Sequence, residues 1–430
     1  MSFHLETSLG KSLAEEKNSP LPDHGHFQSK ASGRILIVAP EPFYEDRGTP
    51  IALKLLLEAL SSRGEEVDLL TYPIGESVDL PGLRTFRVGT HLPIRKVPIG
   101  FSFRKILFDL LLIPAIVKLS LRWNYKCLHA VEEAAFLGMW LRPWHKLPVI
   151  YDMQSSLPEQ LMGRLFFRIG AVQGLLRFFE RWLIRSIDRV VCSGGLREYV
   201  LGIRPTVSVH EWCFPGNPVV VSMEEVQRFR EKLEITAGSQ IVLYTGNFEP
   251  YQGISRLLDA IPKVISELPN TVFLLVGFDD SWDTKLLEQV DGLWKPGAVK
   301  LIPRRPKAEI YRYLSVADVV VSPREFGSNV ALKVFDYMAA GKPIVATDSK
   351  AHRTVLNNDR AVLVGLGPED LSGGIIRLLK NRDMAARLGE SARAYAEENL
   401  SWNAFVDRVG RLYCFDDDQA GPKGRQVQCG

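Results

Sequence analysis

At 430 residues, with 46% hydrophobic and 24% charged residues, the chain has room for two globular domains, each large enough to bury its own core. A formal net charge of +3 excludes a charge-driven nucleic-acid binder, which would need far more Lys and Arg on one face. The five cysteines (Cys127, Cys192, Cys213, Cys414, Cys429) are odd in number and scattered, with no Cys-x-x-Cys pair. That spacing fits a reducing compartment and argues against a disulfide framework or a zinc site.

Residues 1–33 mix Glu, Lys, His, Ser and Pro without an apolar signal core and are predicted to be a disordered tail. From Arg34 the chain reads Arg-Ile-Leu-Ile-Val-Ala, the short apolar run of a buried parallel strand. A loop over 40–48 leads to Thr49-Pro50 and an amphipathic run, 51–62, that Gly64 closes. Proline is tolerated in a first helical turn because its missing N–H has no helical partner there. Further strands are predicted over 66–71, 84–88, 127–130, 149–152 and 189–192, with helices over 103–121 and 169–187. The most apolar stretch, 106–121, is interrupted by Asp109, Pro114 and Lys118 and falls short of the ~20 apolar residues of a membrane span.

Residues 203–223, with Pro205, Pro215, Gly216 and Pro218, break the rhythm and read as an interdomain linker. Strands then resume over 240–245, 271–276, 299–302, 319–322, 344–347 and 361–364, with helices over 252–267, 308–314 and 330–340 between them. Helices over 370–380, 384–399 and 402–413 finish the chain before a loose polar tail, 414–430. Strands alternating with helices imply an α/β fold of two doubly wound, Rossmann-like domains, 34–212 and 213–399, with the helix near 400–413 returning to the first. Ligands of such sheets bind beyond the carboxyl ends of the strands, so two sheets facing each other place the site in the cleft between them. Nicotinamide chemistry lacks its Gly-x-Gly-x-x-Gly: the first loop offers only Gly48, and the second reads Tyr244-Thr-Gly-Asn-Phe-Glu-Pro-Tyr-Gln-Gly253. There is no Walker A sequence either.

Residues 322–348 read SPREFGSNVALKVFDYMAAGKPIVATD. This block resembles the nucleotide-sugar-binding region of family 4 glycosyltransferases, which are retaining enzymes of the GT-B fold. It is most similar to members with Pro-Arg, then Gly-Thr-Asn, then Lys, then an acidic residue before Tyr-Met-Ala-x-Gly. Weaker likeness extends over 34–413. The resemblance implies a GT-B glycosyltransferase with the donor held by the C-terminal domain and the acceptor by the N-terminal one. It implies transfer of a hexose-type sugar to a glycan, lipid-linked or small-molecule acceptor, in cell-surface polysaccharide or glycolipid synthesis.

The residues themselves agree. A nucleotide sugar presents a diphosphate, a ribose diol and a sugar ring. Lys333 at a helix start offers a cation beside free backbone N–H groups, which suits a diphosphate. Asp336, one turn on, can accept two ribose hydroxyls. The competing account is an ordinary solvated Lys333–Asp336 pair. Gly327, Ser328 and Asn329 just before the helix allow close backbone approach to sugar or phosphate. Where many relatives carry Arg and Lys facing the diphosphate, this chain has Asn247 and Gln252, and where they carry an earlier Glu it has Ser328. The clamp would then rely on Lys333, Arg304 or Arg324, unless Arg324 pairs with Glu325 as a structural corner. In the N-terminal domain Gly48 and Thr49 stand at the helix start where the family's glycine loop meets donor phosphates or acceptor. The family's usual His after the strand ending near 151 is absent, leaving Asp152 or Gln154 for its role. His129 reads as a satisfied core histidine, while Glu132 and Glu133 start a helix, where the dipole favours carboxylates.

The implied reaction retains anomeric configuration, with Lys333 and helix N-termini stabilising the departing diphosphate. No metal or other cofactor is expected: the one Asp-x-Asp string, 416–418, lies in the tail. No nucleic acid is expected as a partner. The basic, apolar segment 95–126 suggests contact with an anionic membrane surface and a cytoplasmic protein peripheral at the inner face. A GT-B nucleotide-sugar epimerase and a non-catalytic sugar-nucleotide-binding protein are the alternatives.

Overall fold

The computed structural model describes residues 33–45, 48–94, 97, 102–158, 170–278 and 297–415. Both predicted tails therefore lie outside the described residues, except at their inner ends. Residues 35–39 of β1 (Arg34–Ala39) are wholly buried, which an unbroken apolar run demands of a strand covered on both faces. β1 pairs in parallel with β2 (Val67–Thr71) and β4 (Tyr125–Val131). β3 (Leu83–Arg87) lies beyond β2, and β5 (Val149–Met153), β6 (Arg189–Cys192) and β7 (Ser208–Glu211) lie beyond β4, for the order β3-β2-β1-β4-β5-β6-β7. The second sheet comprises β8 (Gln240–Thr245), β9 (Thr271–Phe278), β10 (Val299–Pro303), β11 (Val319–Ser322), β12 (Ile344–Thr347) and β13 (Val362–Val364). Its order is β10-β9-β8-β11-β12-β13, again parallel. Chain order reverses between β1 and β4 and between β8 and β11, and at such switch points the loops part to leave a crevice.

Two expectations need correction. The stretch 203–223 is not all linker, because 208–211 pairs with β6 as the edge strand β7; its half-buried Ser-Val-His-Glu carries no apolar run to announce it. Cys127, Cys192 and Cys414 are free thiols, whereas Cys213 is disulfide-bonded, which the scattered spacing did not suggest.

Helices cover both faces of each sheet. In the N-terminal half they are α1 (Gly48–Ser62), α2 (Phe103–Arg122), α3 (Ala134–Trp140), α4 (Arg142–His145), α5 (Gly170–Ser186) and α6 (Gly194–Ile203). In the second half they are α7 (Met223–Lys232), α8 (Ile254–Glu267), α9 (Ile310–Val316), α10 (Leu332–Ala339), α11 (Lys350–Arg353), α12 (Pro368–Lys380), α13 (Arg382–Asn399) and α14 (Trp402–Leu412). One buried cluster joins the two sheets: Trp212 stacks on Phe214 at 5.4 Å, and Phe214 meets Phe335 of α10 at 6.0 Å and Phe405 of α14 at 5.7 Å. α14 returns to the first sheet, where fully buried Arg189 of β6 donates to the carbonyls of Leu412 (2.6 Å) and Cys414 (3.1 Å). The cation thus satisfies carbonyls that the helix end leaves without partners.

Candidate active site

The loops after β8 and β11 enclose the crevice of the second sheet, and α10 begins at its floor. No side chain caps α10; Val334 N–H turns back to the Ala331 carbonyl at 2.9 Å, and the N–H groups of Leu332 and Lys333 remain to donate. Lys333, in that first turn, has its Nζ shielded from solvent, without a hydrogen-bond partner, and 3.8 Å from the centroid of the Tyr244 ring. Burial, and secondarily the charge of Arg324, push its pKa well below the lysine range. Asp336 does not pair with Lys333. Its Oδ1 accepts from the Asn217 N–H at 3.1 Å and lies 3.8 Å from Lys307 Nζ, and burial raises its pKa. The solvated Lys333–Asp336 pair is therefore absent, although the spacing allows one.

Arg324 is a brace. It donates from Nε to Phe326 O (2.7 Å), from Nη1 to Asn329 O (2.9 Å) and from Nη2 to Asn329 Oδ1 (2.6 Å). Glu325 instead binds Arg256 at 2.5 Å, so the Arg324–Glu325 corner does not form. Gly327 has φ +114°, and a Cβ there would stand 2.3 Å from Arg324 Nη2, so only glycine lets the loop wrap the guanidinium. On the opposite loop the Asn247 carbonyl accepts from Tyr244 OH at 2.6 Å, and its side chain reaches Tyr251 OH at 3.4 Å. Gln252 is buried with its Oε1 unpartnered. Arg304, just past β10, is exposed, and its backbone N–H donates to Phe278 O at 2.9 Å.

The first sheet supplies the facing wall. Asp152 at the end of β5 is buried and fully engaged: Oδ1 accepts from Trp212 Nε1 (2.7 Å) and Gln154 Nε2 (2.8 Å), and Oδ2 lies 3.4 Å from His129 Nε2. His129 Nδ1 in turn lies 2.8 Å from Tyr413 OH. Gly48 and Thr49 open α1, with free space where a Gly48 side chain would be. The β6–α6 turn reaches the second sheet: Ser193 Oγ accepts from Val330 N–H at 3.3 Å, and the missing Gly195 side chain makes room for the Ser328 carbonyl.

Two family models match the chain: "Glycosyl transferase 4-like domain" over residues 47–209 and "Glycosyl transferases group 1" over 225–395. Together they span both sheets. The chain belongs to the group 1 glycosyltransferases. The phosphatidyl-myo-inositol mannosyltransferase of Mycobacterium leprae is 26% identical over 403 residues, 92% of this chain and 99% of that protein. Among solved structures, the sucrose-phosphate synthase of Thermosynechococcus elongatus aligns with TM-score 0.74 at 20% identity, over 89% of this chain and 98% of that one. Anabaena Alr3699/HepE in complex with UDP-glucose aligns with TM-score 0.68 at 16% identity, over 88% and 98%. These neighbours establish the fold as GT-B.

Within this glycosyltransferase the structure brings Lys333, Asn247, Gln252, Arg324 and the 327–329 turn to one crevice, while Asp152 and Gln154 stand on the wall across from it. Asp152 is committed to its neighbours and His129 is a satisfied core residue, so Gln154, half-buried and tied to Asp152, is the better placed of the two to meet a ligand. A cluster that sequence reasoning left unassembled lies at the other switch point. Tyr72 OH donates to Asp109 Oδ at 2.5 Å, Lys105 pairs with Glu133 at 2.7 Å, and Ser155 Oγ donates to Glu132 at 3.3 Å. Burial pushes Asp109 up to about 6 and, followed by Glu133 and Asp152, pushes Glu132 well above the carboxylate range. Glu132 also holds φ +51°, an uncommon conformation for its type. The available signal was Asp109 itself, an acid interrupting an otherwise apolar helix.

Proposed function

We propose that this glycosyltransferase is a retaining, metal-independent enzyme that moves a hexose-type sugar from a nucleotide-sugar donor to a lipid-linked or glycan acceptor. The observation that carries the reading is the Lys333 ammonium, buried and unpartnered at the uncapped start of α10. Such a group lacks a counter-charge, and a diphosphate supplies one together with acceptors for the helix N–H groups. The neutral Asn247 and Gln252 leave Lys333 as the cation nearest that loop, with its Nζ 3.1 Å from where a Gly246 Cβ would stand. Asp336, already bound through Oδ1, keeps Oδ2 for a ribose hydroxyl. In the reaction the bond from the anomeric carbon to the diphosphate oxygen breaks, and the acceptor oxygen bonds to that carbon on the same face. The acceptor proton passes to the departing phosphate, whose charge Lys333 and the α10 N–H groups stabilise.

The relatives' names support this choice of substrates: one is called a phosphatidyl-myo-inositol mannosyltransferase, and one neighbouring structure holds UDP-glucose. A lipid-linked acceptor suits α2, which buries the single stripe Phe108, Leu112, Ile116 and Leu119 and leaves Leu107, Leu110 and Leu121 exposed. Of the basic residues expected there, Arg104, Lys118 and Arg122 are exposed. Lys105 and Lys126 are spent on Glu133 and Glu65, and Arg95 and Lys96 lie outside the described residues. Among the described residues no helix is long and apolar enough to cross a membrane. The proposed location is thus peripheral, at the cytoplasmic face. The raised Glu132 and Asp109 favour a second reading, epimerisation of the nucleotide sugar, which needs acid–base groups in the cleft. A panel of nucleotide sugars, followed by thermal stabilisation and by product analysis with and without lipid acceptors, tests both. Stabilisation by none overturns the donor assignment, and an epimer formed without acceptor selects the second reading.

A further inference from the structure

α5 is amphipathic in an unusual sense. Its inward face places Glu180, Leu183 and Ile184 in the protein, where Glu180 accepts from the Leu157 N–H at 2.6 Å and Tyr199 OH at 2.5 Å. Its outward face exposes Leu175 (55%), Phe178 (63%) and Trp182 (43%). At 100° per residue those three fall within an arc of about 60°. Arg177, Arg181 and Arg185, all exposed, occupy the adjoining arc of about 80°. The only acid of α5 is thus turned inward, and none of the three arginines is ion-paired among the described residues. The surface continues sideways: α3 packs against both α2 and α5, and Trp140 and Trp144 are exposed at 59% and 56% in that layer.

We propose that the outer face of α5 docks this protein onto an anionic bilayer surface, with Phe178 and Trp182 entering the headgroup boundary and Arg177, Arg181 and Arg185 contacting lipid phosphates. Charge selects this occupant. Every exposed charge on the helix is positive, which opposes association of two identical copies through this face and favours a negatively charged plane. Aromatic side chains between a wet and an apolar phase, flanked by snorkelling arginines, have the composition of an interfacial helix. The contact stands on α5 alone, so it holds or fails independently of the lipid acceptor and of α2.

The test is co-sedimentation of the full chain with phosphatidylglycerol-containing vesicles and with pure phosphatidylcholine vesicles, across a salt series. Binding should require the anionic lipid and weaken with salt. Arg177→Gln, Arg181→Gln and Arg185→Gln together should lower it on the order of a hundredfold, roughly fivefold per arginine. Phe178→Ser with Trp182→Ser should remove the binding that survives high salt. The triple-arginine loss should persist in a Leu107→Ser, Leu110→Ser background, which separates α5 from α2. All substituted residues are exposed, so unchanged thermal unfolding verifies each fold. Equal binding to both vesicle types, or an undiminished triple variant, overturns the proposal. So does an oligomer that Phe178→Ser with Trp182→Ser converts to monomer, which would make this face a contact between copies.

Discussion

Replacing Lys333 by Met keeps the side-chain stem over Tyr244 and deletes only the ammonium. If that ammonium receives the donor diphosphate, nucleotide binding should weaken by ~2–5 kcal/mol, the cost of removing one member of a buried charge contact, or roughly 30- to 4,000-fold in Kd. Stability should move the other way. The Lys333 pKa is depressed in the folded state, so the unfolded chain binds more protons and the buried cation opposes folding. That penalty is complete below the depressed folded-state value and vanishes above the ordinary lysine value. The gain from Met should therefore be largest at low pH and shrink as pH rises. Binding by the wild type should take up as much as one proton per nucleotide, between the pKa of the empty site and that of the occupied one. Calorimetry in buffers of different ionisation enthalpy measures this uptake, and thermal unfolding across pH measures the stability gain. A Lys333→Met protein that binds nucleoside diphosphate as wild type does would refute the phosphate role. A variant that loses binding and stability together would make Lys333 structural.

Transfer should survive EDTA; loss on chelation with recovery on adding Mg²⁺ or Mn²⁺ would end the metal-independent reading. Gly327→Ala should cut donor binding and also lower the unfolding temperature, because a side chain at φ +114° is strained and its Cβ displaces buried Arg324 from the 326–329 turn. Arg189→Met should destabilise the chain by ~1–3 kcal/mol, since the carbonyls at the end of α14 lose a buried cationic donor. Asp109→Asn should stabilise the protein above about pH 6 and change little near pH 4. The native acid, raised to about 6, is destabilising where it must ionise, and the amide oxygen can still accept from Tyr72.

The strands at 189–192, 240–245, 319–322 and 344–347 were legible to the residue, because a strand buried on both faces must be an unbroken apolar run. β7 was not, since an edge strand half open to water accepts Ser, His and Glu. α7 buries no residue and is held by the Ser222–Glu225 capping box, so the apolar periodicity that marks other helices is missing. The place of Lys333 at a helix start was visible because its motif is local. The contacts of Asp152 and Arg324 were not. Asp152 draws its partners from β4, from the loop after β5 and from Trp212 sixty positions away. Arg324 has an acidic neighbour in sequence, yet its geometry directs it to carbonyls of its own turn.

The donor loop is held from both domains at once. Its 328–330 turn receives Gly195 against the Ser328 carbonyl and donates Val330 N–H to Ser193, while Asn217 beyond β7 donates to Asp336. Lys333 lies three residues past that turn, but the groups that desolvate it, the Tyr244 ring and the loop at Gly246, belong to the second sheet and bury it whether or not the cleft moves. A ligand shifts a conformational equilibrium only by its difference in affinity for the two states, so nucleotide must act on the cleft through the 328–330 turn and its Ser193 contact. Nucleoside diphosphate should accordingly compact the wild-type chain in small-angle scattering, and Ser193→Ala should reduce that response. A wild-type radius of gyration unchanged by saturating nucleotide would show that the Ser193 and Asn217 contacts hold the cleft shut by themselves.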